Sequence, residues 1–597
     1  MLKSQIAQFF RQLPAGRRAL SLVWKAAGAW TAAWAVLLVF QGLVPAGSAL
    51  LLRALVNRLV ASPSWTAIAP PVMGIAALWV AAQLLSSALS WVRAVQAEKV
   101  QDEVHRLIHA QALSLDLAFY DDPDSYDLLY RAQVDAVAQP LALLENLGSV
   151  VQNGLGFLAL AGILFTYAAW LPLLLVLSAV PGLLLVARHI LKEHLWHIGH
   201  THHERRAQYL DWLMTDSSSA AELRLFDLGG FHRKAFESLR DELREGKLRL
   251  VRQGALTELE AGLLAWAGSL AGLGWMLEQD LAGHARLGDL LLCLQAFQQG
   301  QAQLRSLLEG AGKIYKSLLF VENLEDFLAI KPAILAGRSA SPLPPVRKSI
   351  RFEGVSFTYP GSFHPALDEF NLEIPERQVV ALVGSNGAGK STLIKLLCRF
   401  YDPDEGRILL DGVDLRELDP EALRSRMTVL FQQPVRYHAT ATENIAFGDV
   451  HRPWQSGEVR AAAESAGALD PIERLPHGFE TLLGKWLGGE ELSVGEWQRV
   501  ALARAFFRQA PLVILDEPTS AMDSWAEHDW LTRFRTLVEG RTAVMITHRF
   551  TTAMHADVIH VMDRGRIVES GTHEQLIAIG GSYAESWSAQ MQEVVRA

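Results

Sequence analysis

Apolar and charged positions are distributed unevenly along the first half of the chain. Five stretches are free or nearly free of charge, and most are as long as the roughly 20 residues that cross a bilayer as a helix. They are residues 26–52, 61–92, 146–187, 261–277 and 287–308. The third is long enough for two helices with a hairpin at residues 168–172. The pattern therefore predicts six membrane-spanning helices.

Prolines and basic residues refine the first two spans. Pro63, Pro70 and Pro71 predict a loop, so that the second helix is expected at 72–92. Residues 1–25 are basic and lack the short apolar core and cleavage site of a signal peptide. We therefore expect a cytoplasmic segment before the first span.

Two long charged stretches separate the apolar ones. Residues 93–145 and 188–252 keep helical periodicity, which predicts cytoplasmic extensions of the membrane helices. Breaks in this periodicity at residues 119–127 and 221–230 predict a tight turn or short helix at the far end of each extension. Both termini then lie on the cytoplasmic side.

The sixth predicted span, residues 287–308, carries a row of glutamines. Gln295, Gln299 and Gln303 follow at intervals of four and therefore share one helix face, with Gln298 and Gln301 close by. Such a face either lines a polar translocation pathway or forms hydrogen bonds to other helices. The sequence leaves both interpretations open.

Histidines cluster in the second extension. His194, His197, His200 and His203 recur every third residue, with His202 beside them. A zinc site is one interpretation, but cysteines and clustered carboxylates are missing. The pattern favours a solvated or partner-facing polar stripe.

A glycine-rich motif follows an apolar run in the second half of the chain. The run 379–383 predicts a buried strand, and 393–397 predicts a helix. The intervening loop fits G-x-x-x-x-G-K-[ST], in which backbone N–H groups cradle phosphate, the lysine reaches the outer phosphates and the hydroxyl binds Mg²⁺. It comprises Gly384, Ser385, Asn386, Gly387, Ala388, Gly389, Lys390, Ser391 and Thr392.

A second apolar run, residues 511–515, ends in two acids. Asp516 is expected beside the phosphate loop as a Mg²⁺ ligand, and Glu517 as the general base that activates water. The predicted fold is multi-domain. An all-α polytopic membrane domain at 1–331 and a proline-rich linker at 332–346 precede an α/β P-loop ATPase domain at 347–597.

Composition supports this division. Of the 597 residues, 50% are hydrophobic and 17 are tryptophan, which favours a membrane protein. The net charge of −9 gives no reason to expect a nucleic-acid partner. Cys293 and Cys398 are the only cysteines, which argues against a disulfide framework.

Taken together, these motifs resemble an ATP-binding cassette (ABC) exporter of the half-transporter type. The resemblance covers nearly the whole chain and implies ATP and Mg²⁺ as ligands. It assigns adenine stacking to Tyr359 and the Mg²⁺-contacting and water-contacting glutamine to Gln432, with Gln433 as the neighbouring alternative. It also makes His548 the switch histidine and 520–523 the loop at the dimer interface. The metal ligands it implies are Ser391, Gln432 and Asp516.

The signature segment 492–496 departs from the family's LSGGQ. Ser493 and Gly495 are retained and are expected to contact the γ-phosphate of ATP held by a second subunit, whereas Val494 and Glu496 are substitutions. Val494 restricts the backbone, and Glu496 adds negative charge near phosphate. The segment 481–491 is expected to contact the intracellular turns. Residues 119–127 resemble the first coupling helix, which in this fold reaches the partner's nucleotide-binding domain, and 221–229 resemble the second.

The resemblance implies a dimer in the inner or plasma membrane that exports a polar or amphipathic substrate, such as a peptide, lipid or drug-like compound. A homodimer is favoured over a heterodimer. No peptidase-like domain is expected before the first span, so leader-peptide cleavage is not implied. Two alternatives are an importer of metal-chelator complexes with the same fold and a soluble ATP switch protein.

Overall fold

The structure is a computed structural model, and it describes residues 2–61, 64–122, 125, 128–129, 132, 138–217, 219–282, 286–334, 348–519 and 524–596. The chain divides into two compact units. The first comprises Met1–Leu113 and Asp127–Ile330, and the second comprises Ser114–Tyr126 and Lys331–Ala597. Most of the predicted linker, residues 335–346, lies outside the described residues.

Long helices dominate the chain up to Ala329. In chain order the described helices are α1 (Leu2–Ala61), α2 (Trp65–Ser114), α3 (Leu117–Asp121), α4 (Ala138–Phe165), α5 (Leu171–Thr215), α6 (Ala220–Leu225), α7 (Gly229–Leu281) and α8 (Leu287–Ala329). Each predicted span lies within one of the six long helices. Among the described residues, Gly16–Ala61, Trp65–Ser114 and Ala142–Phe165 are long and apolar enough to cross a membrane, and α5 opens with the shorter apolar stretch Leu171–Gly182.

The start of α2 differs from the prediction. Pro70 and Pro71 lie inside the helix, which begins at Trp65 rather than near residue 72. A proline at position 71 cannot donate to the carbonyl of Ala67, four residues earlier. The Arg58 guanidinium of α1 donates to that oxygen instead, at 3.4 Å. This substitute donor helps α2 to accommodate the two prolines.

Small residues bring the helices of the first unit into close contact. A Cβ on Gly268 of α7 would lie 2.1 Å from the Cβ of Ser178 in α5, and one on Gly182 would lie 3.0 Å from the Cβ of Ala261. Such contacts are typical of helices packed in a membrane, where close backbone approach replaces the hydrophobic driving force. Around them a buried apolar cluster joins five helices through Ala46, Ala49, Leu160, Leu164, Leu171, Leu175, Met276, Leu292, Ala296 and Phe297.

One buried charge cluster fixes the ends of three segments. The carboxylate of Asp289, at the start of α8, accepts from Arg53 Nε of α1 at 2.5 Å and from the Tyr167 hydroxyl at 2.8 Å. Its second oxygen caps α8 by accepting from the backbone N–H of Arg286 at 2.9 Å. Tyr167 lies in the hairpin between α4 and α5, which the sequence placed at residues 168–172. Asp289 therefore connects α1, α8 and this hairpin.

The second unit is an α/β domain with two sheets. Its strands are β1 (Ser349–Phe357), β2 (Leu367–Pro375), β3 (Val379–Gly384), β4 (Glu405–Leu410), β5 (Val413–Asp414), β6 (Met427–Leu430), β7 (Leu512–Asp516), β8 (Thr542–Ile546), β9 (Val558–Asp563) and β10 (Arg566–Gly571). One sheet has the order β2-β1-β4-β5 and is antiparallel. The other has the order β10-β9-β3-β8-β7-β6 and is parallel from β9 to β6.

From Lys390 onward the second unit has ten described α-helices. They are α9 (Lys390–Leu397), α10 (Pro420–Ser425), α11 (Ala441–Ala446), α12 (Ser456–Ser465), α13 (Leu469–Glu473), α14 (Val494–Phe507), α15 (Ser524–Val538), α16 (Phe550–Ala553), α17 (His573–Ile579) and α18 (Ser582–Arg596). Every residue of β7 and β8 is buried, as expected for central strands covered on both faces. The fold class predicted from the sequence is confirmed. Because the strands are parallel, the carboxyl ends of β3, β7 and β8 meet at one edge of the sheet.

The short helix α3 packs on the ATPase domain of its own chain. Asp121 accepts from the Tyr401 hydroxyl at 2.5 Å and from Lys395 Nζ at 3.2 Å, and Leu117 and Ala118 pack on the domain's apolar core. The segment thus contacts the ATPase domain of its own chain, and the expectation that it reaches the partner's domain stays a prediction. The residue pattern predicted a break in the helix, but it carried no information about which copy the segment contacts. Pro123, Asp124, Tyr126 and Asp127 lie outside the described residues.

The contact between α5 and α7 yields a test of helix packing. Gly268→Ala places a methyl group against Ser178, whereas Gly274→Ala, on the same helix, adds a methyl with nothing within 4 Å. We expect Gly268→Ala to destabilise the protein by about 1–3 kcal/mol through overpacking. Gly274→Ala should be neutral or stabilising by up to about 1 kcal/mol, because alanine favours helix. Thermal unfolding in detergent measures both, and equal melting temperatures would contradict this account of the contact.

Candidate functional site

Two glycines of the phosphate loop are required by close backbone contacts. The φ angle of Gly384 is 150°, and a Cβ there would lie 2.2 Å from the carbonyl oxygen of Met562 in β9. The φ angle of Gly389 is 97°, and its Cβ would lie 2.4 Å from the carbonyl oxygen of Ala366. Larger residues would push the loop away from the sheet. The loop therefore stays at the carboxyl end of β3, directly before the N-terminus of α9, where a phosphate is favoured.

Lys390 points back into this loop. Its Nζ donates to the carbonyl oxygens of Gly384 and Ser385, each at 2.8 Å. Burial lowers the pKa of the ammonium, while the nearby carboxylates of Glu517 and Asp516 oppose that shift. The cation is thus held over the concave side of the loop, where phosphate oxygens can replace the two carbonyl acceptors.

Asp516 lies at the end of β7, beside the start of α9. The Ser391 hydroxyl donates to its carboxylate, and the side chain is almost fully buried. Burial, reinforced by the charge of Glu517, raises the pKa of Asp516 to about 6. A carboxylate that burial disfavours in its charged form is a natural ligand for a cation. Ser391 and Asp516, separate in sequence, are therefore neighbours as predicted.

Glu517 is held by two side chains from other strand ends. Gln432 Nε2 donates to its Oε2 at 2.7 Å, and His548 Nδ1 lies 3.2 Å from its Oε1. Only 12% of the Glu517 side chain is exposed. Its backbone is in the left-handed region, with φ 49°, and its N–H donates to the carbonyl of Ile546 in β8 at 2.9 Å. Gln432, Glu517 and His548 thus form one connected group.

Tyr359 belongs to an aromatic cluster at the other side of α9. Its hydroxyl donates to Thr392 Oγ1 at 3.2 Å, and its ring lies edge-on to those of Phe357 and Tyr401 at 5.0 and 5.5 Å. Lys395 Nζ lies 5.0 Å from the ring centre. This cation, which also contacts α3, is absent from the sequence prediction. The sequence feature that could have indicated Lys395 is its charge, within a helix whose other residues are mostly buried.

The signature segment begins α14 with a capping box. Ser493 is the N-cap, and Glu496 Oε2 accepts from the Ser493 N–H and hydroxyl, each at 2.9 Å. Arg474 donates to Glu496 Oε1 at 3.2 Å. Val494 is the first residue of the helix, and its side chain is half-exposed. Valine restricts the backbone, as expected, but the helical conformation required here is one that valine adopts. Gly495 follows it within the helix.

Several predicted features lie partly or wholly outside the described residues. The interface loop Ser520–Asp523 is outside them, and so are the side chains of His194 and His197. Within the described part of the chain, no group of three or more metal-ligating side chains occurs. His200 instead stacks on Trp196 at 4.5 Å between ring centres. The zinc hypothesis therefore gains no support from the described histidines.

The glutamines of α8 were expected either to line a translocation pathway or to form hydrogen bonds to other helices, and they do not all behave alike. Gln301, beside the predicted row, donates to Ser178 Oγ and to the Ala265 carbonyl, each at 2.9 Å, and so links α8 to α5 and α7. The side-chain oxygens of Gln295, Gln299 and Gln303 are buried, and within the described structure they have no hydrogen-bond partner. Within the row, Gln295 Nε2 donates to Ser48 Oγ of α1 at 3.4 Å. Interhelical bonding thus holds for Gln301 and Gln295, whereas substrate contact by the row stays a prediction.

Comparison with known proteins identifies the family. A family model for ABC transporters matches residues 367–520. The subtilin transport ATP-binding protein SpaT of Bacillus subtilis is 30% identical over 78% of this chain and 76% of its own length. An ATP-dependent lipid A-core flippase of Aromatoleum aromaticum is 32% identical over 82% of this chain and 80% of its own length. The chain belongs to the ABC transporter family.

The fold agrees with a solved structure. A bacterial Atm1-family ABC exporter with ATP bound superposes with a TM-score of 0.80 at 24% identity, covering 95% of this chain and 99% of that one. As a member of this family with apolar helices long enough to cross a bilayer, the chain is an integral, multi-pass membrane protein with an ATP-binding ATPase domain in the cytoplasm. It couples ATP hydrolysis to transport, as its motifs predicted.

The loop glycines yield a test of nucleotide binding. Gly384→Ala creates a backbone clash, whereas Gly387→Ala, at φ 82°, has nothing within 4 Å and carries only the strain of a left-handed alanine. We expect Gly384→Ala to abolish binding of a fluorescent ATP analogue. Gly387→Ala should weaken it by about tenfold at most, the equivalent of 1–2 kcal/mol. Normal binding by Gly384→Ala would refute the role of the close approach.

Proposed function

We propose that the protein is an ATP-driven exporter that works as a dimer. Its proposed domains are the membrane domain at 1–331, the linker at 332–346 and the ATPase domain at 347–597, to which the segment Ser114–Tyr126 is added. Each ATP is bound by the phosphate loop of one copy and completed by Ser493 and Gly495 of the other. The observation that carries this proposal is the group formed by Glu517, Gln432 and His548 at the strand ends beside Lys390. It supplies a base, a polar donor and a ring nitrogen where the terminal phosphate is expected.

Hydrolysis follows from this arrangement. Glu517 accepts a proton from a water molecule while the water oxygen attacks the γ-phosphorus, and the bond from that phosphorus to the β,γ-bridging oxygen breaks to release ADP. Gln432 fixes the orientation of the carboxylate through its 2.7 Å hydrogen bond. His548 contributes a donor to the γ-phosphate, and Lys390 exchanges its carbonyl acceptors for phosphate oxygens.

The residues present fit Mg²⁺. Ser391, Asp516 and Gln432 offer hydroxyl, carboxylate and amide oxygens, the hard ligands that this ion prefers, and Asp516 is a buried carboxylate beside Ser391. When bound, the ion would neutralise charge on the β- and γ-phosphates. We propose that Tyr359 stacks on the adenine. Its ring lies at the far side of α9, and its hydroxyl is held by Thr392.

Glu517→Gln tests the proposed base. The amide cannot accept the proton, so we expect ATP turnover to fall by about 100-fold to 10,000-fold while ATP binding and ATP-induced dimer closure persist. Glu369→Gln is a matched control, because Glu369 also has a left-handed backbone, with φ 46°, but lies on β2. Turnover by purified protein in lipid is measured for both. Unchanged turnover in Glu517→Gln would refute this assignment.

Adjacent glutamines allow a second test. Gln432 and Gln433 are both exposed on the same loop, and Gln432 is the one that donates to Glu517, at 2.7 Å. We expect Gln432→Ala to reduce turnover by about tenfold or more, because it removes a hydrogen bond to a charged group, and Gln433→Ala to stay within about twofold of the parent. Steady-state ATP hydrolysis distinguishes them. The reverse order would transfer the role to Gln433, the alternative that the sequence left open.

A homodimer is favoured because this chain carries both Glu517 and His548, so two copies would form two competent sites. Exposed apolar groups on each unit support contact between copies. Leu225 of α6 is 78% exposed, and Trp486, within the segment predicted to meet the intracellular turns, is 84% exposed. A heterodimer with a related chain is the alternative, and the subunit composition of the purified complex decides between them.

The cargo is proposed to be polar or amphipathic, in the classes of peptides, lipids and drug-like compounds. The names of the relatives point to subtilin transport and to a lipid A-core flippase. The buried amide oxygens of Gln295, Gln299 and Gln303 give the membrane helices unused hydrogen-bond acceptors, which favours a cargo with donor groups. Stimulation of ATPase activity in lipid, followed by transport into inside-out vesicles, tests cargo and direction.

A further inference from the structure

The signature segment of this chain contains a carboxylate where its family has an amide. Glu496 lies at the third position of α14, next to the serine that we propose meets ATP on the second copy. Its carboxylate accepts a hydrogen bond from the Ser493 hydroxyl at 2.9 Å. In this arrangement the Ser493 hydroxyl already donates its hydrogen bond to Glu496. The negative charge of Glu496 also lies close to the expected position of the γ-phosphate.

Arg474 compensates this charge. It follows α13, 22 residues before Glu496, and its guanidinium donates to Glu496 Oε1 at 3.2 Å, on the carboxylate oxygen that Ser493 does not use. The Arg474 side chain is 71% exposed, compared with 26% for Glu496. An arginine that stays largely in solvent can hold the glutamate and still face an incoming anion.

Hydrogen bonding within the box also limits where Glu496 can go. The Ser493 N–H donates to one of its oxygens, and the Arg474 guanidinium donates to the other. When the Ser493 hydroxyl turns to a phosphate, these two donors remain, so the carboxylate keeps partners and stays in place. The helix keeps its N-terminal cap in both states.

We propose that Arg474 is a positioning residue for ATP at the composite site. It neutralises Glu496, so that the hydroxyl of Ser493 can transfer its hydrogen bond from Glu496 to the γ-phosphate of the ATP bound by the second copy. Arg474 acts through Glu496 and is needed because this chain has a glutamate at that position. The inference rests on the proposed function, in which the signature segment completes the partner's site.

A double-mutant cycle at Arg474 and Glu496 tests the inference in the full-length protein in lipid. Arg474→Ala removes the guanidinium that is hydrogen-bonded to Glu496 and leaves Arg499 as a nearby cation. We expect the ATP concentration for half-maximal hydrolysis to rise about fivefold, with a smaller change in maximal rate. Glu496→Gln removes the charge and should leave that concentration unchanged or lower. In the Glu496→Gln background, Arg474→Ala should change it by less than about twofold.

Two further variants separate charge from packing. Arg474→Lys retains a cation and should recover most of the parent behaviour. Arg460→Ala breaks the exposed Arg460–Glu473 pair on the neighbouring helices and should leave hydrolysis unchanged. Melting temperatures are recorded for all variants. If Arg474→Ala does not fold, Arg474→Lys and Glu496→Gln still decide, because a raised half-maximal ATP concentration in Glu496→Gln overturns the proposal.

The outcomes distinguish this inference from the proposed function. An equal loss from Arg474→Ala in both backgrounds, or no loss in the parent, overturns the role of Arg474 through Glu496. If Glu517→Gln also retains normal turnover in the same preparation, the proposed hydrolytic site itself is wrong. If Glu517→Gln collapses turnover while the cycle shows no coupling, only the inference fails.

Discussion

Parallel pairing of β3, β8 and β7 is the constraint on which the ATP site depends. Leu382 of β3 pairs with Ile546 of β8, and Ile546 pairs in turn with Asp516 of β7. This register places Asp516 in one row of paired residues, with the phosphate loop, Glu517 and His548 just beyond that row. A slip by one residue in β7 would turn the side chain of Asp516 to the opposite face of the sheet and separate it from Ser391. The central strands are buried on both faces, which makes such a slip costly.

The arrangement of the membrane helices depends on close packing of small residues and on a few polar contacts. These helices pack through small residues such as Gly268 and Gly182, because apolar burial against lipid gives little preference for one neighbour over another. Orientation then comes from a few polar contacts. Asp289 is nearly fully buried and is satisfied by Arg53, Tyr167 and the backbone N–H of Arg286. Buried ion pairs add little net stability, but losing one partner is costly, so such a cluster selects a single arrangement of helices.

Sequence patterns predicted the elements well and their partners less well. Strand β3, the phosphate loop and β7 follow from local runs of apolar residues and from one motif, and the structure has them at the expected residues. The predicted start of α2 was wrong because the expectation that proline ends a helix considers only neighbouring residues. In the structure, Arg58 of another helix donates to the Ala67 carbonyl. The choice between Gln432 and Gln433 needed the position of Glu517, 85 residues away. Arg474 was missed for the same reason, since nothing near it in sequence marks it as the partner of Glu496.

Helix α3 has a consequence for where the ATPase domain begins. The ATPase unit includes Ser114–Tyr126, a segment between two membrane helices in sequence. The chain therefore passes from one unit to the other at three points rather than at one. A fragment starting at Lys331 would expose the apolar surface that Leu117 and Ala118 cover and would leave Tyr401 without the carboxylate of Asp121. Such a fragment lacks part of its own core. Properties measured on it would describe a truncated domain, and the intact ATPase unit exists only where the membrane helices also hold that segment.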